Sequence, residues 1–196
     1  MTTFIVEPAP DAFQLPPPFI TTEDFSQGTG GKIPASDPRV EPLLKGASAA
    51  IRRYCGWHIA PVLQVDLVLD GPGGSLLTLP TLRLVNVLSF QDDGSPVEVD
   101  DLEWSERGMI RHRGRRLTRK FRGIEATVQH GWDEAPDVAQ IVQQVVANAL
   151  SSPLGATREQ AGALSVSWAT TAPGVSGGLS LLQRDLDVLN LYRLGA

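Results

Sequence analysis

Gly174-Val175-Ser176-Gly177-Gly178 spells the G-x-S-x-G pattern of a nucleophile elbow, in which a strained strand-to-helix turn presents a serine to a histidine base. That chemistry needs an acid and then a histidine later in the chain. Asp185 and Asp187 follow, but no histidine lies beyond His130, so the segment reads as a Gly/Ser linker. Gly28-Thr29-Gly30-Gly31-Lys32-Ile33 resembles half a phosphate-binding loop. The full pattern wants glycine where Ser26 stands and Ser or Thr where Ile33 stands, which leaves an ordinary loop. His58, His112 and His130 lack metal-ligand spacing such as H-E-x-x-H, and the single Cys55 excludes an intramolecular disulfide or a cysteine-cluster zinc site. Cys55 falls near a helix end among apolar residues and reads as a small core residue. The pairs Asp92-Asp93 and Asp100-Asp101 sit in turns, and a catalytic carboxylate pair is the lesser reading of them. These residues predict no catalytic centre, metal or cofactor.

The charge pattern carries more. Residues 92 to 106 hold seven acids and no base: Asp92, Asp93, Glu98, Asp100, Asp101, Glu103 and Glu106. Residues 107 to 122 hold eight bases and no acid: Arg107, Arg111, Arg113, Arg115, Arg116, Arg119, Lys120 and Arg122. Eight like charges repel one another and need counter-charge nearby. Three readings stay open: a solvated hairpin paired with its own acids, docking onto a neighbouring subunit or a partner, or contact with nucleic-acid phosphates. Phe121 is the one aromatic residue in the run, so stacking on bases is not indicated.

The elements that must position these residues follow from periodicity. Thr21-Thr22-Glu23-Asp24-Phe25 reads as a capped helical turn that Gly28 to Gly31 stop. A helix is expected from Asp37-Pro38 to Cys55, with Leu44, Ala47, Ile51, Tyr54 and Cys55 on one stripe. Pro42 lies one turn inside it and should loosen its start. From 61 to 132 the period changes to two, and four to six short antiparallel strands are expected, among them Val65 to Leu69, Leu77 to Leu79, Leu82 to Phe90, Val97 to Val99, Met109 to Arg113 and Ile124 to His130. Asp93-Gly94 and Arg113-Gly114 are the turn signals between them. After Pro136, Val138, Ile141, Val142, Val145, Val146, Ala149 and Leu150 give the strongest helical period in the chain. A strand at Leu164 to Trp168 and a last helix carrying Leu182, Leu186, Leu189 and Tyr192 follow. The expected fold class is α+β: a helical core from both ends of the chain, with a β-rich antiparallel insertion. Residues 20 to 196 form one domain, helical over 20–60, β over 61–132 and helical over 133–196.

At 196 residues the chain is long enough for one domain with a sizeable core, and it has neither a signal-peptide pattern nor an apolar run that would cross a bilayer. It reads as a soluble protein of a reducing compartment with no membrane partner. Eight of the 15 prolines lie in the first 42 residues. Residues 1 to 19 therefore read as an extended arm or a disordered tail, and Phe4, Ile5, Val6, Phe13, Leu15 and Phe19, too apolar for an ideal solvated tail, favour the docked arm. The expectation is that the arm docks on a neighbouring subunit or another protein rather than on its own core.

Three ordered blocks resemble head–tail connector (adaptor, or head completion) proteins of long-tailed bacteriophages. The first runs through Ile20-Thr21-Thr22-Glu23-Asp24-Phe25, Asp37-Pro38-Arg39-Val40 and Ala47-Ser48-Ala49-Ala50-Ile51-Arg52-Arg53-Tyr54-Cys55-Gly56-Trp57-His58-Ile59. The second is His130-Gly131-Trp132 with Pro136-Asp137-Val138 and the helix after them. The third is Gly162-Ala163-Leu164-Ser165-Val166-Ser167 with the Leu-rich helix ending in Leu191-Tyr192-Arg193. The resemblance spans about residues 20 to 196. It implies a structural virion protein, not an enzyme, that forms a ring of twelve subunits under the portal, extends the DNA channel and offers a platform to the next neck (stopper) or tail-terminator protein. It would be assembled in the host cytoplasm and reside in the virion neck, between capsid portal and tail, with non-specific contact to packaged DNA as a further partner. The proline-rich arm and the dense arginine run depart from the family pattern.

A nucleic-acid-binding module using residues 107 to 122 is the competing class. The rest of the chain nets −13, and no helix-turn-helix, zinc-finger or RNA-binding signature accompanies the run.

Overall fold

The computed structural model describes residues 16–151, 158–161, 164–167 and 181–195. Helices and antiparallel sheets alternate in blocks, so the fold is mixed α+β, as the periodicities predict. Helix α1 (Thr22–Gly28) starts where Thr21 Oγ1 accepts the Asp24 amide at 3.1 Å. Helix α2 (Val40–Cys55) begins later than Asp37-Pro38 suggested. Asp37 still organises the start, because its Oδ1 accepts the Arg39 amide at 2.9 Å. The later start resolves the conflict at Pro42, which falls in the first turn, where a backbone N–H has no intrahelical partner to lose.

Helix α3 (Pro136–Ser151) turns Val138, Ile141, Val142, Val145 and Val146 inward. They pack with Phe25, Val40, Leu44, Ala47, Ile51 and Cys55, and with Leu189 of helix α4 (Gln183–Leu189), in one buried cluster. Leu181, Val188 and Tyr192 flank that cluster, whereas Leu182 and Leu186, expected inward, are not part of it. Hydrogen bonds stitch the C-terminal segment to the end of α2: Trp57 Nε1 donates to Tyr192 O at 2.7 Å, Leu194 N to Cys55 O at 2.9 Å, and Tyr54 Oη to Asn190 Oδ1 at 2.7 Å. Tyr192 Oη also donates to the Asp137 carboxylate at 2.8 Å, tying the start of α3 to the same corner.

Between α2 and α3 the chain makes seven strands. Strands β1 (Leu63–Leu69), β3 (Leu84–Asp92), β4 (Ser95–Pro96) and β7 (Ile124–His130) form a sheet in the order β1-β7-β3-β4. Strands β2 (Leu76–Thr78), β5 (Leu102–Trp104) and β6 (Met109–His112) form a second sheet in the order β2-β6-β5. Two register shifts along β3 convert its period of two into inward residues three apart, Leu84, Val87 and Phe90. These pack with Leu77, Leu102, Ile110, Leu117, Ile124 and Val128 in a second buried cluster. The Val97 to Val99 segment, read as a strand, instead enters a 3₁₀ turn at Val99–Asp101, and β5 after it was not anticipated. The Leu164 strand is β9 (Leu164–Ser167), paired antiparallel with β8 (Arg158–Ala161). Among the described residues no helix is long and apolar enough to cross a membrane.

The arm expectation changes at its inner end. Phe19 packs against the helical cluster of its own chain, its amide donating to Ser48 Oγ at 3.2 Å on α2. Phe4, Ile5, Val6, Phe13 and Leu15 lie outside the described residues.

Candidate functional site

The basic run is built on the second sheet and the irregular segment after it. Arg113-Gly114 does not join two strands; from Arg113 to Gly123 the chain has no regular structure and is anchored by buried Leu117. Three backbone bonds strap this loop to the Asp70-Gly71-Pro72-Gly73-Gly74 turn: Gly71 N to Lys120 O at 2.9 Å, Gly73 N to Thr118 O at 2.8 Å and Leu117 N to Gly74 O at 2.8 Å. The Arg122 amide adds a bond to Asp70 Oδ1 at 2.7 Å. The approach is close enough that a Cβ on Gly71 would stand 2.3 Å from Thr118 O. The glycines of this turn therefore let the basic loop pack directly against it.

The loop's charge divides into two groups. Glu103 stands opposite Arg111 in the β5–β6 register and accepts hydrogen bonds from Arg111 and, at 3.3 Å, from Arg113 Nε. The Arg111 bond, foremost, holds the Glu103 carboxyl below its ordinary pKa. Asp92 is buried and accepts from Arg115 Nη1 at 2.7 Å and from the Thr118 amide at 3.0 Å. Lys120 Nζ bonds Asp93 Oδ1 at 2.8 Å, which raises the lysine pKa. The acidic run thus supplies counter-charge for Arg111, Arg113, Arg115 and Lys120 inside one chain. Arg107, Arg116, Arg119 and Arg122 have no carboxylate partner among the described residues; Arg116 Nε instead bonds Gly73 O at 3.0 Å. Beside them Phe121 is 82% exposed, and Arg111, Arg113, Arg115, Arg116 and Glu103 line a polar concavity of about 650 Å³. This partly neutralised rim is suited to diffuse contact with an anionic surface.

The remaining sequence candidates resolve individually. The Gly28 to Ile33 loop ends α1 and is followed by no helix until Val40, so it lacks the helix N-terminus of a phosphate-binding loop. Cys55 is buried in the core, and burial pushes its thiol up to about 11, which keeps it an unreactive thiol. Asp92 and Asp93 are engaged by the basic loop, as above. No group of three or more potential metal ligands occurs among the described residues. The G-x-S-x-G segment lies outside the described residues.

Two features were missed in the sequence. Arg52 is half-buried and donates to four carbonyls: His58 O at 2.9 Å, Ala60 O at 2.9 Å, Pro16 O at 3.0 Å and Pro17 O at 2.7 Å. Its guanidinium also lies 4.3 Å from the centre of the Phe19 ring. Burial lowers its pKa to about 10, still far above neutrality. The signal was present: Arg52 shares the Ser48–Cys55 side of an amphipathic helix, where a polar residue must find partners. The second feature is the cluster of Trp57, His58, His130, Trp132 and Tyr192, whose neighbouring rings stand 4.3 to 6.2 Å apart.

The chain matches no protein-family model, and no curated protein matches it in sequence. Solved structures do match it. A chain from the neck of a native GTA (gene transfer agent) particle, computed with C12 symmetry, superposes with a TM-score of 0.57 at 17% identity, covering 89% of this chain and 88% of its own length. The fold is shared with a neck chain. A chain from the neck of an empty GTA particle, computed with C6 symmetry, gives the same TM-score and identity over 91% of each chain. The likeness spans both the helical cluster and the β-rich middle, since nearly the whole length is covered.

Proposed function

We propose that this protein is a structural neck component of a phage-like particle, an adaptor that assembles as a homo-oligomeric ring under the portal. In that place it would extend the DNA channel and present a docking platform to the next neck (stopper) or tail-terminator protein. The observation that carries the reading is the near full-length fold shared with neck chains from particles solved with C12 and C6 symmetry. The three sequence blocks that resemble head–tail connectors support it independently, because they fall on α1–α2, on β7–α3 and on β9–α4 in chain order. The basic rim is then the surface offered to the portal or a neighbouring subunit. The far end of the arm, with Phe4, Ile5 and Val6, is the segment left to reach a neighbour.

The test is capture by the portal. Purified portal mixed with this protein should yield particles that carry an added ring in electron micrographs, with one copy per portal subunit or a simple fraction of that number. Absence of any association with the portal overturns the reading.

A second reading has its own observation. Arg107, Arg116, Arg119 and Arg122, without carboxylate partners among the described residues, are free to meet DNA phosphates. Binding of double-stranded DNA by the isolated protein, falling steeply with salt, would favour a nucleic-acid-binding role.

A further inference from the structure

The basic concavity already holds a carboxylate, and that carboxylate belongs to the protein itself. Glu103 Oε2 accepts from Nε (3.0 Å) and Nη2 of Arg111, its cross-strand partner, while Glu103 Oε1 accepts from Arg113 Nε at 3.3 Å. Two guanidinium groups thus close on one oxyanion. Arg113 is fixed further, its amide bonded to Asp101 O and its Nη1 to Asp100 O, each at 3.0 Å. Arg115 and Arg116 are each pinned by a single nitrogen, Arg115 Nη1 on Asp92 and Arg116 Nε on Gly73 O. Arg115 Nε and Nη2, and both Nη atoms of Arg116, have no acceptor among the described residues.

The lining carries these four arginines against the one acid, a net of +3. The side chains of Glu103, Arg111 and Arg113 are 42%, 58% and 60% exposed, so their pairing is weakly held and opens readily. Ser75, His112 and Gly114 complete the lining among the described residues. A protein partner is anchored chiefly by large side chains seated in well-packed pockets, and this lining has no aliphatic, Phe, Tyr or Trp residue to receive one. It likewise has no ring of that kind on which unpaired bases could stack. A polar, strongly positive surface rich in arginine matches the phosphates of a nucleic-acid duplex.

We propose that the concavity formed by Arg111, Arg113, Arg115 and Arg116 receives backbone phosphates of double-stranded DNA, and that Glu103 is a built-in competitor for them. The proposal rests on the reading in which the basic rim meets DNA. An incoming phosphate must take over the Arg111 and Arg113 edges that Glu103 occupies, and it meets the glutamate's charge as it does so. Glu103 therefore keeps the grip weak and reversible, as suits a surface past which DNA has to move.

Anisotropy of a labelled mixed-sequence DNA duplex, titrated with the full-length protein, tests this. Glu103→Gln keeps the side chain's shape at the surface and should melt like the parent. It should bind the duplex at least about fivefold tighter at low salt, with a salt dependence steeper by about one to two phosphates. Glu98→Gln removes the same charge from an exposed acid outside the concavity and should stay within about twofold of the parent. Glu103→Gln/Arg111→Gln/Arg113→Gln should lose the whole gain. Equal affinity in Glu103→Gln and the parent overturns the proposal, and an equal gain in Glu98→Gln does so too, by reducing the effect to net charge. A gain by Glu103→Gln in portal capture but not in DNA binding assigns the concavity to an acidic protein partner, which also overturns it. Steeply salt-dependent binding by the parent would uphold the DNA reading even where Glu103→Gln changes nothing, so the two fail separately.

Discussion

His58 and His130 meet edge to face with 4.3 Å between ring centres, although 72 positions separate them in the chain. His130 is buried and its Nδ1 has no hydrogen-bond partner among the described residues, while His58 Nε2 lies 2.9 Å from Pro61 O. Burial, and then the neighbouring His58, lowers the His130 pKa from 6.5 to about 4, and burial also lowers that of His58. Both rings are therefore neutral in the folded protein at pH 7.

Between pH 6.5 and pH 4 the unfolded chain binds a proton at position 130 that the folded chain excludes. Stability is thus full above pH 6.5 and declines as pH falls toward 4, where the folded ring also titrates. After solvent screening the loss attributable to His130 should be about 2 kcal/mol, roughly 4–8 °C in melting temperature. His130→Phe removes this proton and should flatten the melting curve against pH over that range. An equally steep decline in His130→Phe would disprove the assignment.

Val142 is fully buried on α3 within the cluster shared by α2 and α4. Placing an aspartate there strands a carboxylate without a partner, at a cost of several kcal/mol against a typical total of about 5–15 kcal/mol. Val142→Asp should be insoluble or unfolded by circular dichroism at 25 °C, while Val142→Ile should melt within a few degrees of the parent. A soluble aspartate variant with an unchanged melting temperature would exclude this face of α3 from the core.

Helices α2 and α3 were legible because each carries an apolar stripe over 16 residues, long enough for period to outweigh local exceptions such as Pro42. The β segment was legible in kind but not in detail. Strand β5 has only three residues, beside an acid-rich 3₁₀ turn, and the two bulges in β3 break the alternation that a strand reading relies on. The basic run was visible, but its division into paired and unpaired arginines depends on the β5–β6 register and on the Gly-rich turn packed against it. The histidine pair had no local signal. It exists because β1 and β7 pair Leu63 with His130, while Gly131, at φ +115°, lets the chain pass where a Cβ would stand 2.6 Å from both His58 Nε2 and Pro61 O.

Gly71 offers a test of how the basic loop is held. Alanine there would drive its Cβ into Thr118 O, a backbone atom that cannot move without opening the Gly71–Lys120 and Gly73–Thr118 bonds. Gly71→Ala should cost about 1–3 kcal/mol and accelerate amide exchange at residues 117 to 120, leaving α2 and α3 protected. Gly30→Ala, at a position with open space around it, controls for the loss of a glycine elsewhere, although its positive φ adds some strain of its own. Unchanged exchange at 117 to 120 in Gly71→Ala would show that the turn does not strap the loop.

The two groups of arginines should separate stability from assembly. Arg115 satisfies a buried carboxylate, so Arg115→Ala leaves Asp92 with only the Thr118 amide and should lower the melting temperature by several degrees. Arg107, Arg116 and Arg119 are exposed and without carboxylate partners among the described residues, so reversing them to glutamate should change stability little, Arg116 losing only its bond to Gly73 O. Under the neck reading the same triple reversal changes the rim's charge by six and places acid against whatever acidic surface or phosphate the rim meets. Ring formation on the portal at low salt should then fall at least tenfold, and raising salt should weaken the parent ring toward the level of the variant, since screening removes the attraction and the repulsion together. Arg111→Gln and Arg113→Gln, which share the single Glu103 carboxylate and lose one charge each rather than reversing it, should weaken the ring less. Normal ring formation by a folded Arg107→Glu/Arg116→Glu/Arg119→Glu variant would leave the rim a solvated surface with no part in assembly.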